Sequence, residues 1–325
     1  MEKIGFHVSY RMGKRAAIGM GIGVLAVVVT ILAAQASLKQ NACASDENNA
    51  KGRPAASENV RATDPAQSAP ARSEPAPPSG LASHSIGDTW TDPVTGMKFL
   101  WISPGSFDMG STRIEDANPV HTVKISKGFW LGQFEVTQAQ WRAVTNDDPS
   151  SFKGDRLPVE QVSRDDVDSF IRKLNSMGRG GFRLPTEAEW EYACRAGTTS
   201  EFCYGDSLDS SQANFDGNYP YGGAKNGVYR EKTMPVGSFP PNAWGLYDMH
   251  GNVWELCSDW YDPDYYRSRP NPDNDPRGPS DGSFRVERGG AWRNVAEECR
   301  SAARSRYVPG FLFNSIGFRL ARSES

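Results

Sequence analysis

The sequence predicts an α+β domain with a large, loop-rich irregular fraction, preceded by an apolar N-terminal segment and a disordered linker. Three helix starts carry capping-box spacing, and one short segment alternates apolar with polar residues as a half-buried strand does. After Cys203 the chain is rich in Gly, Pro, Asn and aromatic residues, which predicts few regular elements. All nine Trp lie between Trp90 and Trp292, so the aromatic core belongs to the C-terminal part of the 325-residue chain.

The N-terminal segment has the charge and the length of a membrane-directed sequence. Lys14 and Arg15 end a basic stretch, and the run 16–36 that follows contains no charged residue. Such a run can span a bilayer, and its positive flank places residues 1–15 in the cytoplasm. The run ends in Ala-Gln-Ala, which has the small-x-small form of a signal-peptidase site. We expect 16–36 to be a transmembrane anchor that leaves the rest of the chain periplasmic or extracellular, or else a signal segment whose cleavage gives a secreted protein.

Residues 37–85 have the composition of a linker. They are rich in Ala, Pro, Ser, Glu and Asn and lack apolar periodicity, so they cannot bury enough surface to offset their ordering entropy. The prolines predict an extended spacer between the membrane and a domain that spans 86–325. The formal net charge of the chain is −3, so no basic field exists that would hold a nucleic acid. We expect an exported protein or peptide as the partner instead.

Local patterns within 86–325 predict three helices and one clear strand. In the strand, His121, Val123 and Ile125 alternate with polar residues. The capping boxes pair Thr137 with Gln140, Ser163 with Asp166, and Thr186 with Glu189. The helix after Ser163 carries one apolar face, formed by Val167, Phe170, Ile171 and Leu174.

Four motifs follow one another along this part of the chain. They are Gly181 to Ala193 (GFRLPTEAEWEYA), Gly245 to Glu255 (GLYDMHGNVWE), Arg288 to Trp292 (RGGAW) and Ile316 to Arg319 (IGFR). Together they resemble the formylglycine-generating enzyme family, also called the sulfatase-modifying factor family, over residues 88 to 322. The resemblance implies a single domain with a loop-rich variant of the C-type-lectin-like fold.

Several motif residues also have a purely structural explanation. Glu187, Glu189 and Glu191 lie early in a helix, where carboxylates favour the positive end of the helix dipole and its free N–H groups. Trp190 is expected in the core because large aromatic side chains are mostly buried there. We expect Arg319 to pair with a buried carboxylate.

The second motif contains a candidate metal site. Asp248 and Glu255 flank a Gly-Asn turn, so their carboxylates and nearby carbonyls can converge on one hard cation such as Ca²⁺. The resemblance implies a structural calcium held by Asp248, Gly251, Val253 and Glu255. A solvated turn is the alternative. A second calcium site of the family would use Asn214 and Phe215, but its downstream acid has no clear match here.

The catalytic cysteine pair of the family is incomplete. Members that convert a substrate cysteine to formylglycine hold Cu(I) with two cysteines in the pattern Gly-Gly-x-x-x-Cys-x-x-x-x-Cys. Counted forward from Gly289-Gly290, Asn294 stands at the first position and Cys299 at the second. Counted back from the segment 302–305, Cys299 instead lies three residues out of register, so at least one thiolate is missing in either alignment. Because an Asn and a single Cys cannot supply two thiolates, we do not expect copper to bind, and Cys299 remains only a candidate catalytic residue. Glu297, Glu298 and Asp259 are alternative catalytic acids, although such residues are usually structural or exposed.

An oxidising compartment would favour disulfides among Cys194, Cys203, Cys257 and Cys299. Three connectivities are possible, and the motifs that pack together in the family fold favour Cys194 with Cys299. Free buried thiols are the alternative.

Three function classes remain open on the sequence. The first is a binding or regulatory module that presents its loops to a partner. The second is a divergent enzyme that acts on an exported peptide-like product. The third is an oxidase that generates formylglycine in a protein substrate. The missing cysteine argues against the third, and we favour binding or regulation, because a fold does not carry a function without its site.

Overall fold

The computed structural model describes residues 84–178 and 180–324. The predicted cytoplasmic segment 1–15, the anchor or signal segment 16–36 and all but the last two residues of the predicted linker lie outside the described residues. Among the residues described, no helix is long and apolar enough to cross a bilayer.

Three α-helices form where the sequence predicts them. They are α1 (Gln138–Thr145), α2 (Arg164–Met177) and α3 (Glu187–Arg195). Each begins after its predicted N-cap, and each capping box is complete, with both side-chain-to-backbone bonds present. The three predicted helix starts are therefore confirmed.

Twelve short strands in the described part of the chain build three separate sheets. The first sheet has the order β1 (Thr89–Thr91), β2 (Lys98–Ile102), β5 (Phe129–Gly132), β12 (Ala321–Arg322) and β6 (Phe182–Arg183). The second has the order β10 (Arg304–Tyr307), β9 (Arg285–Arg288), β7 (Trp254–Trp260) and β11 (Ile316–Gly317). The third has the order β3 (Gly105–Met109), β4 (His121–Ile125) and β8 (Asp273–Asn274), so the predicted strand 121–125 is confirmed.

The segment between Arg195 and Trp254 contains no α-helix and no strand beyond isolated bridges. Side-chain amides make hydrogen bonds to the backbone there, in place of those between paired strands. Asn242 donates to the carbonyls of Ala193 and Cys194 at 2.7 and 3.2 Å and accepts from the N–H groups of Trp244 and Leu246. The predicted irregular region is thus confirmed, and buried amides fix its conformation.

The apolar core is dominated by aromatic side chains. Val167, Phe170 and Leu174 of α2 are fully buried, as their spacing predicts, and Ile171 packs against the same cluster. Trp141 of α1 stacks on Phe170 with ring centroids 4.9 Å apart and planes 3° from parallel. Such pairs stabilise a fold by about 0.5–1.5 kcal/mol beyond the area that they bury.

A buried ion-pair network ties α3 to the second sheet. Glu187 accepts from Arg304 (Nε–Oε1 2.7 Å), and Glu191 accepts from Arg195 (Nε–Oε1 2.9 Å) and from Arg288. Burial tends to raise the pKa of Glu191, but the neighbouring guanidinium groups outweigh it and lower that pKa. The expected position in the first helical turn holds for Glu187 and Glu189, and Glu189 Oε2 accepts from the N–H of Thr186 at 2.8 Å. Glu187 and Glu191 are in addition ion-pair partners, because arginines distant in sequence reach them.

Candidate functional site

The Asn294 and Cys299 positions lie in the loop that follows β9. Asn294 Nδ2 donates to Glu298 Oε2 at 2.5 Å, and Asn294 Oδ1 is buried with no partner in the described part of the chain. Cys299 is fully buried in a small cluster with Phe202 and Phe215. Burial raises the pKa of its thiol, so the thiolate that would bind a soft metal is disfavoured.

Packing against Gly290 explains why Cys299 is inaccessible. A Cβ added at Gly290 would collide with Cys299 Sγ, so the sulfur lies directly against the backbone of the Arg-Gly-Gly motif. One buried thiol and one carboxamide do not fit Cu(I), which prefers two soft thiolates. The residues present therefore do not fit a copper centre.

The predicted calcium ligands lie in a buried cluster of carboxylates. Asp248 is 5% exposed, and its Oδ2 accepts from the N–H of Gly237 at 2.6 Å. Glu255 on β7 accepts from Arg319 through both oxygens, at 2.6 Å each, and from Trp190 Nε1 at 2.7 Å. The predictions that Trp190 is in the core and that Arg319 pairs with a buried carboxylate are confirmed.

Glu135 is a third carboxylate of this cluster, which the sequence analysis did not include. Its Oε2 accepts from Asn252 Nδ2 at 2.7 Å, and burial together with Asp248 and Glu255 raises its pKa well above the ordinary value. Burial also raises the pKa of Asp248, to about 6. Arg319 is thus one guanidinium among three buried carboxylates, which leaves an excess of negative charge.

This cluster meets part of the requirement for calcium. Its donors are oxygens and its charge is negative, which suits a hard cation. Glu255 Oε1 accepts a single hydrogen bond, so it keeps one lone pair for a cation. Within residues 84–178 and 180–324, however, no group of three or more His, Cys, Asp or Glu side chains is arranged to hold a metal ion. A calcium here would need the carbonyls of Gly251 and Val253, as the sequence predicts, and the site stays a prediction.

The weaker second calcium site has one feature in its favour. Asn214 is fully buried, and its Nδ2 donates to Lys232 O at 2.9 Å and to Asn252 Oδ1 at 3.0 Å. Its Oδ1 has no partner among the described residues, so a cation or a water could satisfy that oxygen. The Phe215 side chain is buried in the apolar cluster with Cys299 and can contribute only its carbonyl. This site also stays a prediction.

The four cysteines of the domain differ from the disulfide expectation. Cys194, Cys203, Cys257 and Cys299 are all free thiols, so the favoured pair Cys194–Cys299 is not formed here. The imidazole of His250 contacts three of these residues. Its Nδ1 lies 2.7 Å from Cys299 O, and its Nε2 lies 3.8 Å from Cys194 Sγ and accepts from the N–H of Cys203 at 3.1 Å. Sequence reasoning identified His250 only as part of a motif and did not predict its contacts with the cysteines.

The three candidate acids do not gather at one site. Glu297 and Glu298 are exposed, and Glu297 pairs with Arg300. Asp259 is buried, accepting from Ser258 Oγ at 2.8 Å and from the N–H of Glu187 at 3.0 Å. Burial and the neighbouring Glu187 raise the pKa of Asp259 to about 7. Its location beside the ion-pair network of α3 indicates a structural role.

A cavity of about 320 Å³ opens beside Arg293, next to the Asn294 position. Its wall includes Trp254, Glu287, Arg306, Tyr307, Phe311, Phe313 and Ser315. Phe284 and Phe311, which also line the cavity, are 38% and 51% exposed. Concave sites of this size with apolar walls and a few polar groups are typical of ligand pockets.

Three residues that line this cavity each have a buried oxygen without a partner in the described part of the chain. Glu287 Oε2, the Tyr307 hydroxyl and Ser315 Oγ are buried with no hydrogen-bond partner among the described residues. Burial raises the pKa of Glu287 to about 7, and Ser305 Oγ donates to its Oε1 at 2.9 Å. Sequence reasoning missed this site, because no motif or spacing marks Glu287. Only the pairing of β9 with β7 and β10 buries it.

Comparisons with known proteins agree with this description of the fold. Residues 86–324 match the family described as the sulfatase-modifying factor enzyme 1-like domain. The chain is 40% identical over 202 residues to a formylglycine-generating enzyme of Streptomyces coelicolor, covering 59% of this chain and 60% of that protein. It is 43% identical over 143 residues to the serine/threonine-protein kinase pkn1 of Chlamydia caviae, covering 44% of this chain and 21% of the kinase. The chain thus spans a fifth to three fifths of the length of these relatives.

A solved structure extends the similarity to three dimensions. PvdO from Pseudomonas aeruginosa superposes with a TM-score of 0.65 at 27% identity, covering 74% of this chain and 100% of PvdO. The part of this chain that PvdO does not cover is about as long as the part that lies outside the matched family domain. The shared architecture is therefore that of residues 86–324.

Proposed function

The chain belongs to the sulfatase-modifying factor enzyme 1-like family, and on that premise we propose that it is a ligand-binding member that works without copper chemistry. The proposal rests on the residues that occupy the two positions where the family holds Cu(I). Asn294 replaces one thiolate, and Cys299 is buried against Gly290 with its thiol pKa raised. A site without accessible thiolates cannot activate oxygen on a bis-thiolate copper ion.

The cavity beside Arg293 supports the binding function. Its lining combines exposed apolar side chains with the polar groups of Arg293, Arg306 and Glu287, a combination that favours a ligand with both an apolar part and a hydrogen-bonding group. We propose that the ligand is a segment of an exported protein or peptide. The basic flank and apolar run at the N-terminus support a location outside the cytoplasm, either tethered to the membrane or secreted.

The alternative is an oxidase that converts a cysteine of a protein or a peptide-like product. One assay on the full chain distinguishes this oxidase activity from binding alone. The protein is incubated with copper, a reductant and a peptide of the form Cys-x-Pro-x-Arg, and the peptide is followed by mass spectrometry. We expect no conversion of the peptide cysteine to an aldehyde, with the Streptomyces coelicolor enzyme as the positive control. Conversion that disappears in Cys299→Ser would establish the oxidase and overturn the proposal.

A further inference from the structure

The lining of the cavity beside Arg293 indicates the charge of its ligand. We propose that this cavity binds a carboxylate of the peptide partner, with an apolar side chain of the same segment against Phe284, Val308 and Phe311. The inference rests on the proposed binding function and adds the chemistry of the ligand to it.

Two arginines line the cavity, and both are accessible to a ligand. Arg293 and Arg306 are exposed, and a guanidinium group keeps its charge in proteins. Within residues 84–178 and 180–324 neither forms an ion pair, whereas the neighbouring Arg304 pairs with Glu187. Arg306 donates only to a neutral group there, the hydroxyl of Tyr261, at 3.3 Å. The planar guanidinium group matches the geometry of a carboxylate, so each arginine can donate to one.

The charge of the lining favours an anion. Among the described residues that line the cavity, Glu287 is the one acid, so the two arginines leave a net positive charge even when it is ionised. Glu287 is 5% exposed, and burial raises its pKa to about 7, so at neutral pH its carboxyl is partly protonated. Ser305 and Arg293 oppose this rise, and Glu298, which is exposed and does not line the cavity, adds to it. A carboxylate ligand therefore meets complementary charge at this cavity.

The apolar part of the lining lies next to one of these charges. The guanidinium carbon of Arg306 is 5.7 Å from the centroid of the Phe284 ring. Phe284, Val308 and Phe311 are 38%, 37% and 51% exposed, so they offer apolar surface that a partner can cover. In an extended peptide, residues i and i+2 point to the same face and lie about 6.6–7 Å apart. A carboxylate and an apolar side chain two positions apart therefore fit Arg306 and this apolar surface together.

The experiment compares pentapeptides that differ in one feature at a time. The probe is Leu-Ser-Asp-Ser-Leu with a neutral N-terminal fluorophore and a C-terminal amide, so the aspartate carries its only charge. One comparison peptide has Asn in place of Asp, and another has Gly in place of both Leu. Binding to the full chain is measured by fluorescence anisotropy at pH 7. We expect the aspartate peptide to bind with a Kd about tenfold lower than the other two, because it alone combines charge-assisted hydrogen bonds with apolar contact.

A third comparison peptide distinguishes the two sources of a carboxylate. It has Asn at the centre and a free C-terminal carboxylate in place of the amide. We expect it to bind no better than its amide, because the spacing of i and i+2 requires a side-chain carboxylate. Tighter binding than that of its amide would overturn this spacing, since the carboxylate would then come from the end of a chain.

Variants of the charged lining assign the preference to the cavity. Arg293→Gln and Arg306→Gln should each reduce the preference for the aspartate peptide over the asparagine peptide, and the double variant should remove it. Glu287→Gln should act in the opposite direction and lower the Kd of the aspartate peptide, because it removes the acid from the same lining. Arg267→Gln, at an exposed arginine that does not line the cavity, is the matched control and retains the preference. Thermal melting checks that every variant is folded.

The outcomes separate this inference from the proposed function. Equal affinities for the aspartate and asparagine peptides, or a preference that survives the double arginine variant, overturn the carboxylate site. Equal affinities for the aspartate peptide and its glycine-flanked form overturn the apolar contact. If the aspartate and asparagine peptides bind equally and Phe311→Ala weakens both, the cavity is still a binding site and the proposed function stands. Absence of binding by every peptide also overturns the carboxylate site, while the copper assay alone decides between binding and oxidation.

Discussion

Arg319 holds both carboxylate oxygens of Glu255, with Nη2–Oε1 and Nε–Oε2 distances of 2.6 Å. Both side chains are buried, and Arg319 also donates to the carbonyls of Gly132 and Tyr247 at 3.0 and 2.8 Å. This pair therefore joins β7 to the end of β5 and to Tyr247 in the 245–255 motif.

Breaking the Arg319–Glu255 pair should destabilise the domain strongly. Arg319→Gln leaves Glu255 beside Glu135 and Asp248 without a guanidinium, and we expect the free energy of unfolding to fall by about 3–5 kcal/mol. Urea denaturation followed by tryptophan fluorescence measures this change. The control is Arg267→Gln, which removes an exposed pair with Asp264 and should cost about 0–1 kcal/mol. Equal losses in the two variants would contradict the role given to Arg319.

Calcium should stabilise the domain if it occupies the cluster around Asp248. Asp248 and Glu255 carry more negative charge than Arg319 offsets, and the raised pKa of Glu135 shows that a further negative charge is costly there without a cation. We therefore expect a chelator to lower the melting temperature and added calcium to restore it. Asp248→Asn should reduce the response to calcium, whereas Glu297→Gln, at an exposed acid, should not. A melting temperature that is the same with chelator and with calcium would rule out the predicted site.

Stability should fall as the pH rises through neutrality. Burial raises the folded-state pKa of Glu287 from 4.5 to about 7 and that of Asp259 from 3.8 to about 7. Because the folded protein holds these protons more tightly, their contribution is fully present below the unfolded-state pKa values and is lost as the pH passes the folded-state values. A pKa shift of this size at one fully buried carboxyl corresponds to about 3 kcal/mol in the free energy of unfolding.

This prediction is tested by melting at pH 5.5 and at pH 8.5. Wild type should melt several degrees lower at the higher pH. Glu287→Gln should show a smaller difference between the two conditions, and Glu298→Gln should behave as wild type does. An identical pH dependence in Glu287→Gln and wild type would show that Glu287 titrates normally.

The cysteines should be protected by burial. Cys194, Cys257 and Cys299 are buried and Cys203 is half-buried, and burial raises the pKa of Cys194 to about 12. We expect only Cys203 to react measurably with iodoacetamide in the native protein, and all four to react in denaturant without reductant. Peptide mapping by mass spectrometry identifies the modified sites. Resistance of Cys194 and Cys299 in denaturant would instead establish the disulfide that the sequence favoured.

Local interactions were the part of the fold that the sequence could predict. Each capping box joins residues three apart, such as Thr186 and Glu189, so the pattern itself contains both partners. The apolar face of α2 follows from helix periodicity in the same way. The four motifs predicted the family because they match it at many positions and in the same order.

Interactions between distant segments could not be predicted from the sequence. Glu187 and Glu191 read as residues of a helix N-terminus, but Arg304 and Arg288, about a hundred positions away, turn them into buried ion pairs. Glu135 lies in no element that the sequence predicted, yet it joins a cluster with Asp248 and Glu255. His250 acquires its contacts with Cys194 and Cys203 only through the fold.

The sequence by itself determined the family, the three helix starts, the irregular segment after Cys203 and the missing thiolate at Asn294. The tertiary structure decided that Cys299 is packed against Gly290, that Arg319 holds Glu255, and that Glu287 is buried with no ion-pair partner among the described residues. The physical reason is that residue identity and spacing fix local hydrogen bonding. Burial, and with it the pKa and the pairing of a charged side chain, depends on which distant segments pack over it.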